Sequence, residues 1–119
     1  MRRFAEISDG LSNTILVIED AGRPARYRAG KRVSGGRFSG GSVLDHNNIC
    51  TLHGSDSVGA ASNGPCAINC NNNNEIYAFH PGGANVIIGD ASVRMLNATM
   101  NIRVVARLIT RGAGEPTGE

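Results

Sequence analysis

The chain has 119 residues, a formal net charge of +2, 16 glycines, no tryptophan and only 4% aromatic residues. A length of this order supports one domain, residues 1–119, rather than two, and its core has to come from Ile, Val, Leu, Met and Ala. The charge is too mild for the electrostatic footprint of a nucleic-acid-binding domain, and no apolar run approaches the ~18 residues of a membrane span.

Taken in chain order, the first element lies within residues 7–19. Asp9-Gly10 signals a turn, and Thr14-Ile15-Leu16-Val17-Ile18 is a β-branched run of strand length. Because polar residues hardly interrupt that run, both faces of the strand are expected to be covered. Residues 21–65 follow as a long irregular loop rich in Gly, Ser, Arg and Asn, and loops of such length are usually functional or mobile. Its basic residues Arg23, Arg26, Arg28, Lys31, Arg32 and Arg37 lack aromatic companions that would stack bases, so they read as a solvated loop.

A second short strand is expected at Ile76-Tyr77-Ala78-Phe79. The apolar runs Ala84-Asn85-Val86-Ile87-Ile88 and Ser92-Val93-Arg94-Met95-Leu96 flank Gly89-Asp90-Ala91, which specifies a β-hairpin. After it Met100, Val104, Val105, Leu108 and Ile109 recur at helical spacing, with Asn97 or Thr99 as N-cap and Gly112 as the stop. The fold class is therefore α+β: an antiparallel β-sheet with long loops and a C-terminal amphipathic helix over residues 101–110.

Cys50, Cys66 and Cys70 allow one disulfide and one free thiol, in any of three pairings. The short loop between Cys66 and Cys70 favours that pair, and thiols in polar loop sequence point to an oxidising compartment, extracellular or in the cell envelope. Whether a leader or anchor precedes Met1 is not readable from these residues, and none is expected within them.

The segments ISDGLSNTILVIEDAGRP, GPCAINCNNNNEIYA and FHPGGANVIIGDASVRML, in that order, resemble the carboxyl-terminal part of the prepilin-type, processing-associated family. Its signature is a His, nine residues, then Asp-Gly, here His80 and Asp90 followed by Ala91 in place of Gly. The resemblance implies a pseudopilin-like head domain lacking the N-terminal pilin helix, with a place in type II secretion or the envelope. Ala91 implies a turn that does not need positive φ at that position.

Independently of any family, Pro81-Gly82-Gly83 reverses the chain and sets His80 at a strand end, while Asp90 can accept backbone N–H bonds in the hairpin turn. Hydrogen bonding of that kind is the commoner explanation for both. Glu19 and Asp20 are adjacent in an extended segment and point to opposite faces, so Glu19 is combined with Asp90 and His80 as the candidate catalytic set. Glycoside hydrolysis needs two carboxyl groups about 5–5.5 Å or 6.5–9.5 Å apart.

The zinc-ligand types among His46, His53, His80 and the cysteines have no supporting spacing. Asp45, Asn47, Asn48 and residues 71–74 offer hard oxygen ligands to calcium without an EF-hand pattern. No G-x-S-x-G elbow or phosphate-binding loop is present. Two functions remain. One is a secreted interaction or structural module whose partners are envelope or secretion proteins, or carbohydrate. The other is a small carbohydrate-active hydrolase using the carboxylates near the His80–Asp90 hairpin.

Overall fold

The structure, a computed structural model, describes residues 3–110. Two short 3-10 turns, Phe4–Glu6 and Leu11–Asn13, lead into β1 (Ile15–Ile18). Then come β2 (Arg26–Arg28), β3 (Lys31–Val33), β4 (Gly83–Ile88), β5 (Val93–Asn97) and α1 (Ile102–Ile109). β1, β4 and β5 form an antiparallel sheet in the order β1-β4-β5, and β2 and β3 form a separate antiparallel pair. The architecture is α+β with antiparallel sheets, one C-terminal helix and long loops.

Side-chain alternation divides the main sheet into two faces. Ala84 opposite Leu96, together with Val86 and Ile88, is buried inward. Val86, Ile88 and Leu96 each add about 1.5–3 kcal/mol of burial. Val105 and Leu108 of α1 close this core from one side, and Ala67, Ile68, Ile76 and Ala78 from another. Asn101 caps the helix by accepting the Arg103 N–H, in place of Asn97 or Thr99; Asn97 instead accepts from Thr99. Gly112, the expected stop, lies outside the described residues.

The opposite face is open. Val17, Ile87, Val93 and Met95 are all exposed on it, which overturns the expectation that β1 is covered on both sides. Leu16 is the extra residue of a β-bulge, since Ile15 pairs with Ile88 and Val17 with Ile87.

Two further expectations change. Residues 76–79 join no sheet: Tyr77 bridges Asp20 and Ile76 bridges Ile68, each as an isolated parallel contact. Burial rather than a ladder holds them extended, with Ile76 and Tyr77 fully inaccessible. The loop of residues 21–65 contains the β2–β3 hairpin, whose turn at Ala29 (φ 43) and Gly30 (φ 80) has the positive angles of a tight two-residue hairpin.

The rest of that loop is fastened by asparagines. Buried Asn72 accepts the Tyr27 N–H and donates to the carbonyls of Ala21 and Ala25. Asn71 donates to Gly59 of the loop, while Asn69 ties Gly83 to Ala78 outside it. A disulfide joins Cys66 to Cys70, and Cys50 is free. Among the described residues, no helix is long and apolar enough to cross a membrane.

Candidate functional site

Glu19 follows β1 directly, where its N–H meets the Asn85 carbonyl at 3.2 Å. That pairing turns its side chain to the open face of the sheet. There Oε2 accepts the Asn85 N–H at 3.0 Å and lies 3.0 Å from His80 Nε2. Asn85 Nδ2 sits 3.2 Å from the same ring nitrogen. His80 reaches this position because Pro81 and Gly82 reverse the chain, Gly82 with a φ of 90° that favours glycine. With side-chain exposures of 36% and 33%, His80 and Glu19 form an open surface pair rather than the wall of a cavity.

Asp90 stands apart from them. It occupies the β4–β5 turn at the far end of β4, where Oδ1 accepts the Ser92 N–H at 2.9 Å. Polar groups of Ser92, its amide bond included, and of Ser12 hold its carboxyl down at about 2. From Asn85, which holds Glu19, the extended chain runs about 10 Å to Ile88 at ~3.3 Å per residue, and Asp90 lies beyond it in the turn. The two carboxylates of the expected set are thus engaged toward opposite ends of one strand, rather than facing each other across one glycosidic bond. The structure brings Glu19 and His80 together and leaves Asp90 as a turn acceptor.

The same turn corrects the expectation for Ala91, whose φ is 68°. The turn requires the left-handed region there, and alanine occupies it under strain.

Asp20, which the pairing of Glu19 with Asp90 passed over, points the other way. Its Oδ2 accepts from Arg23 Nη1 at 2.9 Å, and the Arg23 side chain, only 4% exposed, also donates to the Ser39 carbonyl. Asp20 Oδ1 is buried without a partner. Burial outweighs the guanidinium and raises this carboxyl to about 6. The Asp-x-x-Arg spacing was the available signal in the sequence.

This pair lines a cavity of about 580 Å³ between β1 and residues 41–50, with Leu16, Ile49 and the Cys50 thiol on its walls. Behind it lies Glu75, 1% exposed, whose Oε1 accepts from the amides of His53 and Gly54 and whose Oε2 has no partner. Burial raises the Glu75 carboxyl as well.

Several of the oxygen donors considered for calcium are engaged elsewhere. Asp45 accepts from the amide and side chain of Asn47, and the side chains of Asn71 and Asn72 hold backbone groups, whereas Asn74 Oδ1 is buried without a partner. The three histidines sit in separate places, His46 beside Asp45, His53 against Glu75 and His80 against Glu19. Among the described residues, no cluster of three or more His, Cys, Asp or Glu is placed to hold a metal ion.

The fold and its surface define a small, disulfide-bonded α+β module with one open sheet face. Residues 1–103 match the family described as "Protein of unknown function (DUF1559)", and the chain belongs to that family. No curated protein and no solved structure matches the chain.

Proposed function

We propose that this chain is a pseudopilin-like interaction module, acting outside the cytoplasm and docking on proteins of the cell envelope or secretion apparatus. The observation that carries this reading is the open face of the main sheet. Val17, Ile87, Val93 and Met95, between 38% and 67% exposed, lie side by side there, and among the described residues no strand or helix covers them. Contiguous exposed apolar surface is the usual mark of an interaction site. The Cys66–Cys70 bond suits an oxidising compartment. On this reading His80 and Asp90 serve the scaffold, since His80 orders the sheet edge and Asp90 closes the hairpin.

The test is site-specific photo-crosslinking in the native host, with the photoreactive residue at Ile87 or Val93 and a control at Arg103 on α1. The expected result is a discrete adduct with one envelope or secretion protein from positions 87 and 93 and none from 103. Adducts from 103 alone, or none from the sheet face, would overturn the reading.

A hydrolase remains the second reading, supported by the Glu19–His80 contact alone. Activity of the purified chain on chromogenic glycosides, lost in Glu19→Gln and His80→Ala variants that stay folded, would favour it over docking. No activity in the parent chain would end it.

A further inference from the structure

We infer that the cavity beside the β2–β3 hairpin binds a compact tetrahedral oxyanion, a phosphate or sulfate group, free or carried as a terminal monoester. This goes beyond the docking role, and the cavity shares no lining residue with the open sheet face.

The cavity measures about 590 Å³, and Arg26, Arg32 and Arg37 all line it together with Ser34, Gly35 and Gly36. Its remaining lining residues, Gly22, Pro24, Ala25 and Val33, are uncharged, so three arginines line one concavity with no carboxylate among them. The nearest acid in sequence, Asp20, is already bonded to Arg23. Arg32 and Arg37 make no ion pair or hydrogen bond among the described residues. Like charges gathered in one concavity repel one another, and a bound anion relieves that cost.

Arg26 is held ready for such a ligand. Its Nη1 donates to the Gly35 carbonyl at 3.2 Å, and its guanidinium lies 5.1 Å from the centre of the Phe38 ring. Its Nε is buried with no partner. A planar fork fixed in this way matches two oxygens of a phosphate or sulfate, and little rotamer freedom is lost on binding.

The glycines shape the wall of the site. Gly35 and Gly36 have φ of 82° and 71°, the left-handed region that favours glycine, and a Cβ on Gly36 would stand 3.4 Å from Arg26 Nη1. The Ser34 hydroxyl supplies a further donor on the same wall.

The cavity is much larger than an ion of four oxygens requires, which leaves room for the body of a monoester. A convex, solvated basic surface would show none of these features. The concave shape, and the absence of any aromatic lining residue, also disfavour a duplex or a stacked single strand.

The experiment is a titration of the full chain, followed by amide and arginine side-chain NMR shifts at constant ionic strength. The ligands are inorganic phosphate, sulfate and glucose 6-phosphate, with chloride as the control. The expected result is saturable shifts at Arg26, Ser34, Gly35 and Gly36, weakened at least tenfold in an Arg32→Gln/Arg37→Gln variant and unchanged in Arg94→Gln. Both arginines of the double variant are exposed, and its unchanged circular dichroism establishes that it folds.

Tighter binding of glucose 6-phosphate than of inorganic phosphate identifies the monoester as the source, and equal or weaker binding identifies the free ion. Shifts that do not saturate, that chloride reproduces, or that survive the double substitution mean an adventitious ion only and overturn the inference. Displacement of bound phosphate by duplex DNA at physiological salt, accompanied by shifts spread over Arg94 and Arg103, would equally overturn it.

Discussion

His80 Nε2 meets Glu19 Oε2 at 3.0 Å although 61 positions separate them in sequence. The contact locks the reversal after Phe79 onto the end of β1, while the Asn85 N–H satisfies the same carboxylate oxygen from β4. One oxygen thereby gathers three segments on the open face.

Because both side chains are about a third exposed, the pair should contribute little to stability in itself. A double-mutant cycle with Glu19→Gln and His80→Ala is expected to give a coupling energy below about 1 kcal/mol. Chemical denaturation of the four proteins measures it. A coupling of about 3 kcal/mol would mean a buried, desolvated pair and contradict the open geometry.

Replacing Ala91 with glycine should stabilise the chain. The residue sits at φ 68°, where an L side chain costs about 1–2 kcal/mol, and glycine's extra unfolded-state entropy returns roughly 0.5–1 kcal/mol of that. A net gain of about 0.5–1 kcal/mol is expected for Ala91→Gly, read as a higher denaturation midpoint with unchanged slope. A lower midpoint would contradict the assigned turn.

Asn72→Ala should be among the most damaging single substitutions. The side chain is inaccessible and satisfies the Tyr27 N–H and two carbonyls, all of which would be left without partners. A loss of about 2–4 kcal/mol is expected. Asn72→Asp should also destabilise, because the two donated bonds disappear. Thermal unfolding of both variants supplies the check.

Stability should fall as pH rises from 4 to 6, the reverse of ordinary acid denaturation. Asp20 has a folded value of about 6 against 3.8 for the free group, so the folded chain holds a proton that the unfolded chain has released within that window. A shift of this size corresponds to about 2–3 kcal/mol, present at the acid end and lost as pH passes through the folded value.

Glu75 is raised too and acts in the same direction. Asp45, Asp56 and Asp90 are lowered, so their opposite contribution falls at pH values near and below 3.8. Denaturation midpoints at pH 4, 5, 6 and 7 should therefore decline in the parent chain and decline less in Asp20→Asn. Identical slopes in the two would show that Asp20 is not the group responsible.

The parts of this fold that were legible in sequence are those with a local pattern. The apolar runs on either side of Gly89-Asp90-Ala91 and the helical spacing of Met100, Val104, Val105, Leu108 and Ile109 marked β4, β5 and α1, because Val86, Ile88, Leu96, Val105 and Leu108 among them fill the core. Ile76 and Tyr77 look like a strand for the same reason, but their burial comes from isolated bridges, and no local pattern distinguishes a bridge from a ladder.

The asparagine fastening was hidden because Asn69, Asn71 and Asn72 resemble any polar run; what sets them apart is partners such as Tyr27 and Gly83, far off in sequence. At the candidate site, strand parity correctly sent Glu19 and Asp20 to opposite faces. The length of β4, which separates Glu19 from Asp90, becomes visible only once the register is fixed.

The stretch of residues 39–50 is tied at its feet, by Phe38 N–H to the Pro24 carbonyl on one side and Thr51 N–H to the Asn74 carbonyl on the other. Between those ties Val43 and Leu44 are 91% and 90% exposed and take no part in the core. The tip of the stretch is a natural cassette. Residues at Val43 and Leu44 can give way to a foreign epitope, while the ties on either side and the Arg23 bond to Ser39 keep the rest of the scaffold in register.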